Sequence, residues 1–148
     1  MIILMGGIVL SVLLGQGEFK YRVIENWAKL PDEWSFMDVA GVAVNSKDEV
    51  FVFNRGEHPM IIFDIKGNYL RSWGENLFSR PHGIHIGPDD YIYCTDDGDH
   101  TVKKISPDGK LIFQIGVPGK PSEFMSNLPF HRCTHTALCP NNNIFVSD

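Results

Sequence analysis

Gly41-Val42-Ala43-Val44, a turn, and Val50-Phe51-Val52-Phe53-Asn54 return 42 residues later as Gly83-Ile84-His85-Ile86, a turn, and Ile92-Tyr93-Cys94-Thr95-Asp96. The same offset carries Lys66-Gly67 onto Asp108-Gly109 and Trp73-Gly74 onto Ile115-Gly116. A third copy opens at Thr136-Ala137-Leu138 and closes with Ile144-Phe145-Val146-Ser147-Asp148. Repeats of this length, each made of four short apolar runs, mark the blades of a β-propeller. The fold class is therefore all-β: a partial propeller with two complete blades and the start of a third. A ring closes with roughly four to eight blades, so the chain reads as the front part of a longer protein.

Turn chemistry separates the runs within each copy. Asn45-Ser46-Lys47-Asp48 and Gly87-Pro88-Asp89-Asp90 stand between the first and second strands. Lys66-Gly67-Asn68 and Ser106-Pro107-Asp108-Gly109 stand between the third and fourth. Pro presets φ for the first corner of a turn and Gly takes positive φ freely. The second strands are apolar on both faces, as expected of strands covered by a neighbouring blade on each side. Fourth strands such as Tyr69-Leu70-Arg71-Ser72-Trp73 are mixed, as an outer edge should be. The closing residues Asn54, Asp96 and Asp148 lie 42 and then 52 residues apart, so residues 117–133 hold an insertion. Its Pro118, Gly119, Pro121 and Pro129 make it a surface loop, readable as the rim of a binding site or as a tolerated insertion.

Of the 148 residues 43% are apolar and 21% charged, an ordinary globular balance. A net charge of −5 with scattered Lys and Arg excludes the basic footprint of a nucleic-acid binder. Residues 1–17 form an apolar leader the length of a signal-peptide core, too short for a comfortable membrane-spanning helix. An export signal, an uncleaved anchor and an unused upstream start codon are the alternatives for it. The export reading favours secretion. Residues 18–40 hold a short strand, Phe19 to Ile24, and an irregular lead-in; residues 41–148 hold the blades. Three cysteines cannot all pair within one chain. Cys94 reads as a small hydrophobe within its strand, while Cys133 and Cys139 could pair without anything requiring it.

The three copies resemble the NHL-repeat family of propellers from about Asp38 onward. Two segments narrow this. Phe51-Val52-Phe53-Asn54-Arg55-Gly56-Glu57-His58 resembles the segment around the active-site arginine of peptidyl-α-hydroxyglycine α-amidating lyases. Arg80-Pro81-His82-Gly83-Ile84 resembles their first zinc-ligand segment, and Ile144 to Asp148 resembles the strand leading to their catalytic tyrosine. The resemblance implies a six-bladed ring that splits peptidyl-α-hydroxyglycine into peptide amide and glyoxylate. It implies zinc in the channel on three histidines, and a structural calcium. By position, His82 would be a zinc ligand, Arg55 the active-site arginine, and Val42 and Ile84 backbone-carbonyl ligands of calcium. An open zinc site takes three protein ligands, so the others would lie beyond Asp148 and the chain alone would be inactive. The partner implied is a peptide substrate. The rival reading is a non-catalytic NHL propeller that binds a peptide or protein.

Other constellations point elsewhere. His58 and His100 are equivalent and read as repeat residues. His82 and His85, three apart on a strand, should face opposite sides. His131, Cys133, His135 and Cys139 lack a finger spacing. Asp96-Asp97-Gly98-Asp99 lacks the EF-hand pattern and reads as a solvated turn. No Gly-x-Ser-x-Gly elbow, phosphate loop or Cys-x-x-Cys is present. The apolar edge Ile144 to Val146, if unpaired, would favour self-association.

Overall fold

A computed structural model describes residues 13–14 and 21–148. Its strands are β1 (Leu13–Leu14), β2 (Tyr21–Arg22), β3 (Val39–Val44), β4 (Val50–Asn54), β5 (Met60–Phe63), β6 (Tyr69–Trp73), β7 (Pro81–Ile86), β8 (Ile92–Asp96), β9 (Thr101–Ile105), β10 (Leu111–Ile115), β11 (His135–Leu138) and β12 (Ile144–Ser147). Two four-stranded antiparallel meanders, β3-β4-β5-β6 and β7-β8-β9-β10, are the first two blades; β11-β12 belongs to the third. The fold is a partial all-β propeller. The repeat begins structurally at Val39, two residues before Gly41. The leader expected over residues 1–17 falls outside the described residues except for Leu13 and Leu14, which pair with Tyr21 and Arg22. Among the described residues no helix is long and apolar enough to cross a membrane.

The double-sided apolar character of the second and third strands is used in full. One face of the first blade presents Phe51, Phe53, Met60 and Ile62 to Ile84, Ile92, Cys94 and Ile105 of the second. Its other face, Val52, Ile61 and Phe63, is covered by Trp27, Ala28, Leu30, Trp34 and Phe36. The irregular lead-in is thus a hydrophobic cover for the first blade. A Lys29–Asn68 bridge ties it down. The turn glycines Gly67 and Gly109 have φ of +77° and +92°, the left-handed region their places in the turns demand.

The closing residue of each second strand organises the loop before its own blade. Asn54 Oδ1 accepts the Gly56 N–H at 2.8 Å and the Met37 N–H at 3.4 Å. Asp96 accepts the Ser79 N–H at 2.6 Å and the Arg80 N–H at 2.8 Å. Asp148 accepts the His131 and Arg132 N–H groups, both at 2.8 Å. Met37, Ser79 and His131 occupy equivalent places in the three copies. A side-chain oxygen there satisfies backbone donors that no strand pairs, which is why the repeat keeps Asn or Asp at this position.

The expected solvated turn at Asp96-Asp97-Gly98-Asp99 is instead buried at its first two residues and half-buried at Gly98 and Asp99. Asp96 is fully inaccessible and Asp97 nearly so. Asp96 also accepts the Gly98 and Asp99 N–H groups at 3.0 and 3.1 Å. Lys103, buried between the first two blades where the first repeat has Ile61, places Nζ 2.7 Å from Asp99 and 3.9 Å from Asp96. The acidic run is the polar side of an inter-blade contact, and burial is tolerated because each charge is paired or hydrogen-bonded.

Candidate functional site at the inner strands

Strands β3, β7 and β11 lie side by side as the innermost strands of their blades. They approach so closely that a Cβ at Gly41 would lie 2.8 Å from Ile84 Cγ2. At the equivalent Gly83 it would strike the Thr134 carbonyl, and lie 2.8 Å from His135 Nδ1. The two repeat glycines are thus spacing residues where inner strands converge. Between these strands lies a cleft of about 280 Å³ lined in part by Val42, His82, Gly83, Ile84, Thr134 and His135.

His82 lies within β7, one residue after its start. The β7–β8 register shifts between Pro81 and Ile84, and such a bulge re-aims the side chains it contains. His82 Nδ1 is 3.0 Å from the carbonyl oxygen of Thr134, the residue before the neighbouring inner strand β11. A carbonyl only accepts, so Nδ1 carries the proton and Nε2 is left as the acceptor nitrogen. Burial and the nearby His135 push the His85 pKa below the ordinary imidazole value.

Arg55, immediately after β4, reaches into the second blade: its Nε donates to the Pro81 carbonyl at 3.0 Å. Pro81 directly precedes His82, so these residues share one end of the inner strands. Arg55 NH1 also lies 3.9 Å from Asp38 Oδ2. The equivalent pair in the second blade, Asp97 and Arg80, meets at 3.3 Å. The repeat therefore keeps this ion pair with its charges exchanged, and Arg55 has a structural role that its sequence context did not disclose. Val42 and Ile84 hold matching registers on β3 and β7, opposite Val52 and Cys94. The Val42 side chain is exposed and that of Ile84 is buried.

The remaining metal-like residues are dispersed. Cys133 is buried, donates to the Thr101 carbonyl at 3.2 Å, and has its pKa pushed up to about 12, chiefly by burial. Cys94 is likewise buried and its pKa raised, chiefly by desolvation. His131 Nδ1 meets the Ser122 carbonyl at 2.7 Å. His58 stacks on Trp34 and meets Glu75 at 3.1 Å. All three cysteines are free, and among the described residues no three His, Cys, Asp or Glu side chains group to hold a metal ion. Sequence reasoning weighed His135 only as part of a cluster without finger spacing, and missed both its place against Gly83 in the cleft and the buried Thr95. Only their departure from Gly and Phe in earlier copies signalled them. The loop 117–133 leaves the same end of the blade as Arg55, and Phe124, Met125 and Leu128 on it are exposed.

Inner strands that converge on a cleft, with blades radiating outward, define part of an all-β propeller. No family model matches the chain. It is 30% identical over 138 residues to NHL repeat-containing protein 3 of Homo sapiens, covering 86% of this chain and 39% of that protein. It is 34% identical over 85 residues to peptidyl-alpha-hydroxyglycine alpha-amidating lyase 1 of Drosophila melanogaster, covering 55% of this chain and 15% of that protein. Among solved structures, a catalytically inactive variant of virginiamycin B lyase from Staphylococcus aureus matches with a TM-score of 0.59. That match has 22% identity and covers 80% of this chain and 36% of that one. The chain is related to the NHL-repeat proteins, and it spans well under two thirds of the relatives it matches.

Proposed function

We propose that this chain contributes blades to an NHL-type propeller whose inner strands carry a carbon–nitrogen lyase site for peptidyl-α-hydroxyglycine, yielding peptide amide and glyoxylate. The observation that supports this most is that His82 lines the inner-strand cleft while Arg55 is bonded to Pro81, the residue beside it. Relatives named as amidating lyases support it independently. His82, with Nε2 free, fits zinc as one donor. An open zinc centre takes three protein ligands, so the rest would come from other parts of the ring. When bound, zinc supplies Lewis acidity for breaking the C–N bond. Arg55 spends its Nε on Pro81, which holds the guanidinium fork in place. Its remaining N–H groups can grip a substrate carboxylate in paired, charge-assisted bonds. The Val42 and Ile84 carbonyls are hard donors suited to calcium.

The second reading is a peptide- or protein-binding propeller, favoured by Phe124, Met125 and Leu128 exposed on the loop at the same end. The test is glyoxylate release from an α-hydroxyglycine-terminated peptide by the complete ring that contains these blades, with zinc content measured alongside. The lyase reading expects His82→Ala and Arg55→Ala to lower release at least about tenfold, a loss of about 1.4 kcal/mol of transition-state stabilisation. Peptide binding without glyoxylate release, unaffected by His82→Ala, would replace it with the binding reading.

A further inference from the structure

Thr95 departs from the repeat. Its counterpart in the first copy is Phe53 and in the third Ser147, so a hydroxyl stands here in the second and third copies and the first blade packs without one. The side chain is completely buried at the junction of the second and third blades. Its Oγ1 accepts the Gly83 N–H at 2.7 Å, within the segment where the β7 bulge interrupts the ladder. The same hydroxyl lies 2.8 Å from the Thr134 carbonyl and 3.4 Å from that of Gly83, so its proton goes to Thr134. That Thr134 oxygen also receives His82 Nδ1–H at 3.0 Å. Its two lone pairs are thus filled by Thr95 and His82. Thr134 is held from its other side, its N–H donating to the Ser147 carbonyl at 2.8 Å and its Oγ1 meeting Ser147 Oγ at 2.8 Å.

We infer that Thr95 is a positioning residue: by fixing the Thr134 carbonyl and the Gly83 amide, it holds His82 as the Nδ1–H tautomer with a bare Nε2. The lone pair is then aimed before any ligand arrives, as outer-shell partners of metal-binding histidines do. What Nε2 binds rests on the lyase reading; the tautomer and its dependence on Thr95 do not.

The test is nitrogen-15 NMR of the histidine-labelled chain without metal, at about pH 8.5, above the ordinary imidazole range. The His82 signals are assigned by their loss in His82→Gln. The expected result is an unprotonated Nε2 and a protonated Nδ1 in the parent protein. Thr95→Val should move the population toward Nε2–H, and Thr95→Ser should retain the parent pattern. Thr95→Ala, which removes the hydroxyl without adding a methyl, gives the same reading if valine disturbs packing. An Nε2–H tautomer in the parent, or an unchanged pattern in the Val and Ala variants, overturns the inference. Adding zinc separates the two ideas. An Nδ1–H tautomer upholds the positioning role whatever zinc does; an Nε2 signal that still ignores zinc in the complete ring removes the ligand reading of His82.

Discussion

Replacing Asp96 tests the device that the three copies share. In Asp96→Ala four backbone N–H donors lose their acceptor: Ser79, Arg80, Gly98 and Asp99. A hydrogen bond to a charged group nets about 1.5–3 kcal/mol. Gly98 and Asp99 belong to the local turn and are the easier to satisfy otherwise. The Ser79 and Arg80 bonds anchor the chain crossing from the first blade to the second. Counting those two at the lower end gives a loss of about 3 kcal/mol. Lys103 keeps Asp99 at 2.7 Å, so its charge is not abandoned. Asp96→Asn retains one acceptor oxygen, the arrangement Asn54 uses in the first blade, but turns an amide N–H₂ toward one of the donors; about 1–2 kcal/mol is expected. Urea unfolding followed by the fluorescence of Trp73, which packs in the inter-blade core, reads both variants. With a slope of about 1–3 kcal/mol/M, the alanine variant should shift the midpoint by roughly 1–3 M. A loss under about 0.5 kcal/mol for alanine, or equal losses for the two variants, would refute the reasoning.

Three further outcomes are expected. Gly83→Ala forces β7 away from β11 and strains the Thr95–Thr134–His82 contacts, costing about 2–4 kcal/mol in a thermal melt. Gly41→Ala, which meets a movable Ile84 methyl group, should cost less; the reverse order would show that the inner strands do not set the spacing. Arg80→Ala leaves the buried Asp97 without its cation and should cost about 1–3 kcal/mol, whereas Asp38→Ala exposes only the half-open Arg55 and should cost under about 1 kcal/mol. Equal losses in chemical denaturation would remove that asymmetry. Arg71 holds Glu49 bidentately at 2.8 and 3.0 Å and keeps its carboxyl below the ordinary 4.5. The folded pKa is depressed, so this stabilisation is present above the unfolded value and lost as pH falls through the folded one. Arg71→Ala should cost up to about 1 kcal/mol at pH 7 and less at about pH 2, where only its contacts with Pro107 and Phe51 remain to be lost; an equal cost at both pH values would remove the ion pair as its source.

How far each element could be read depended on whether its cause was periodic. The offset between Gly41 and Gly83, the turn residues and the double-sided apolar strands are local patterns, and they translate directly into blades because each blade is one meander. Trp27, Trp34 and Phe36 carry no strand or helix period, so their service as cover for Val52, Ile61 and Phe63 was invisible. The acidic run 96–99 looked solvated because acidic residues usually are. Its burial depends on N–H groups of Ser79 and Arg80, and on Lys103 of the adjacent strand in the same blade.

By itself the amino-acid sequence determined the blade: its four strands, its turns, its repeat and the end at which Arg55 and His82 must lie. Only the tertiary structure decided what those side chains touch. The Arg55 link to Pro81, the exchanged pairs Arg55–Asp38 and Asp97–Arg80, and the Thr95–Thr134–His82 chain all join residues far apart in sequence. The reason is physical: strand formation follows from the backbone and its nearest neighbours. The tautomer of an imidazole or the burial of a carboxylate follows from donors that another blade brings within 3 Å.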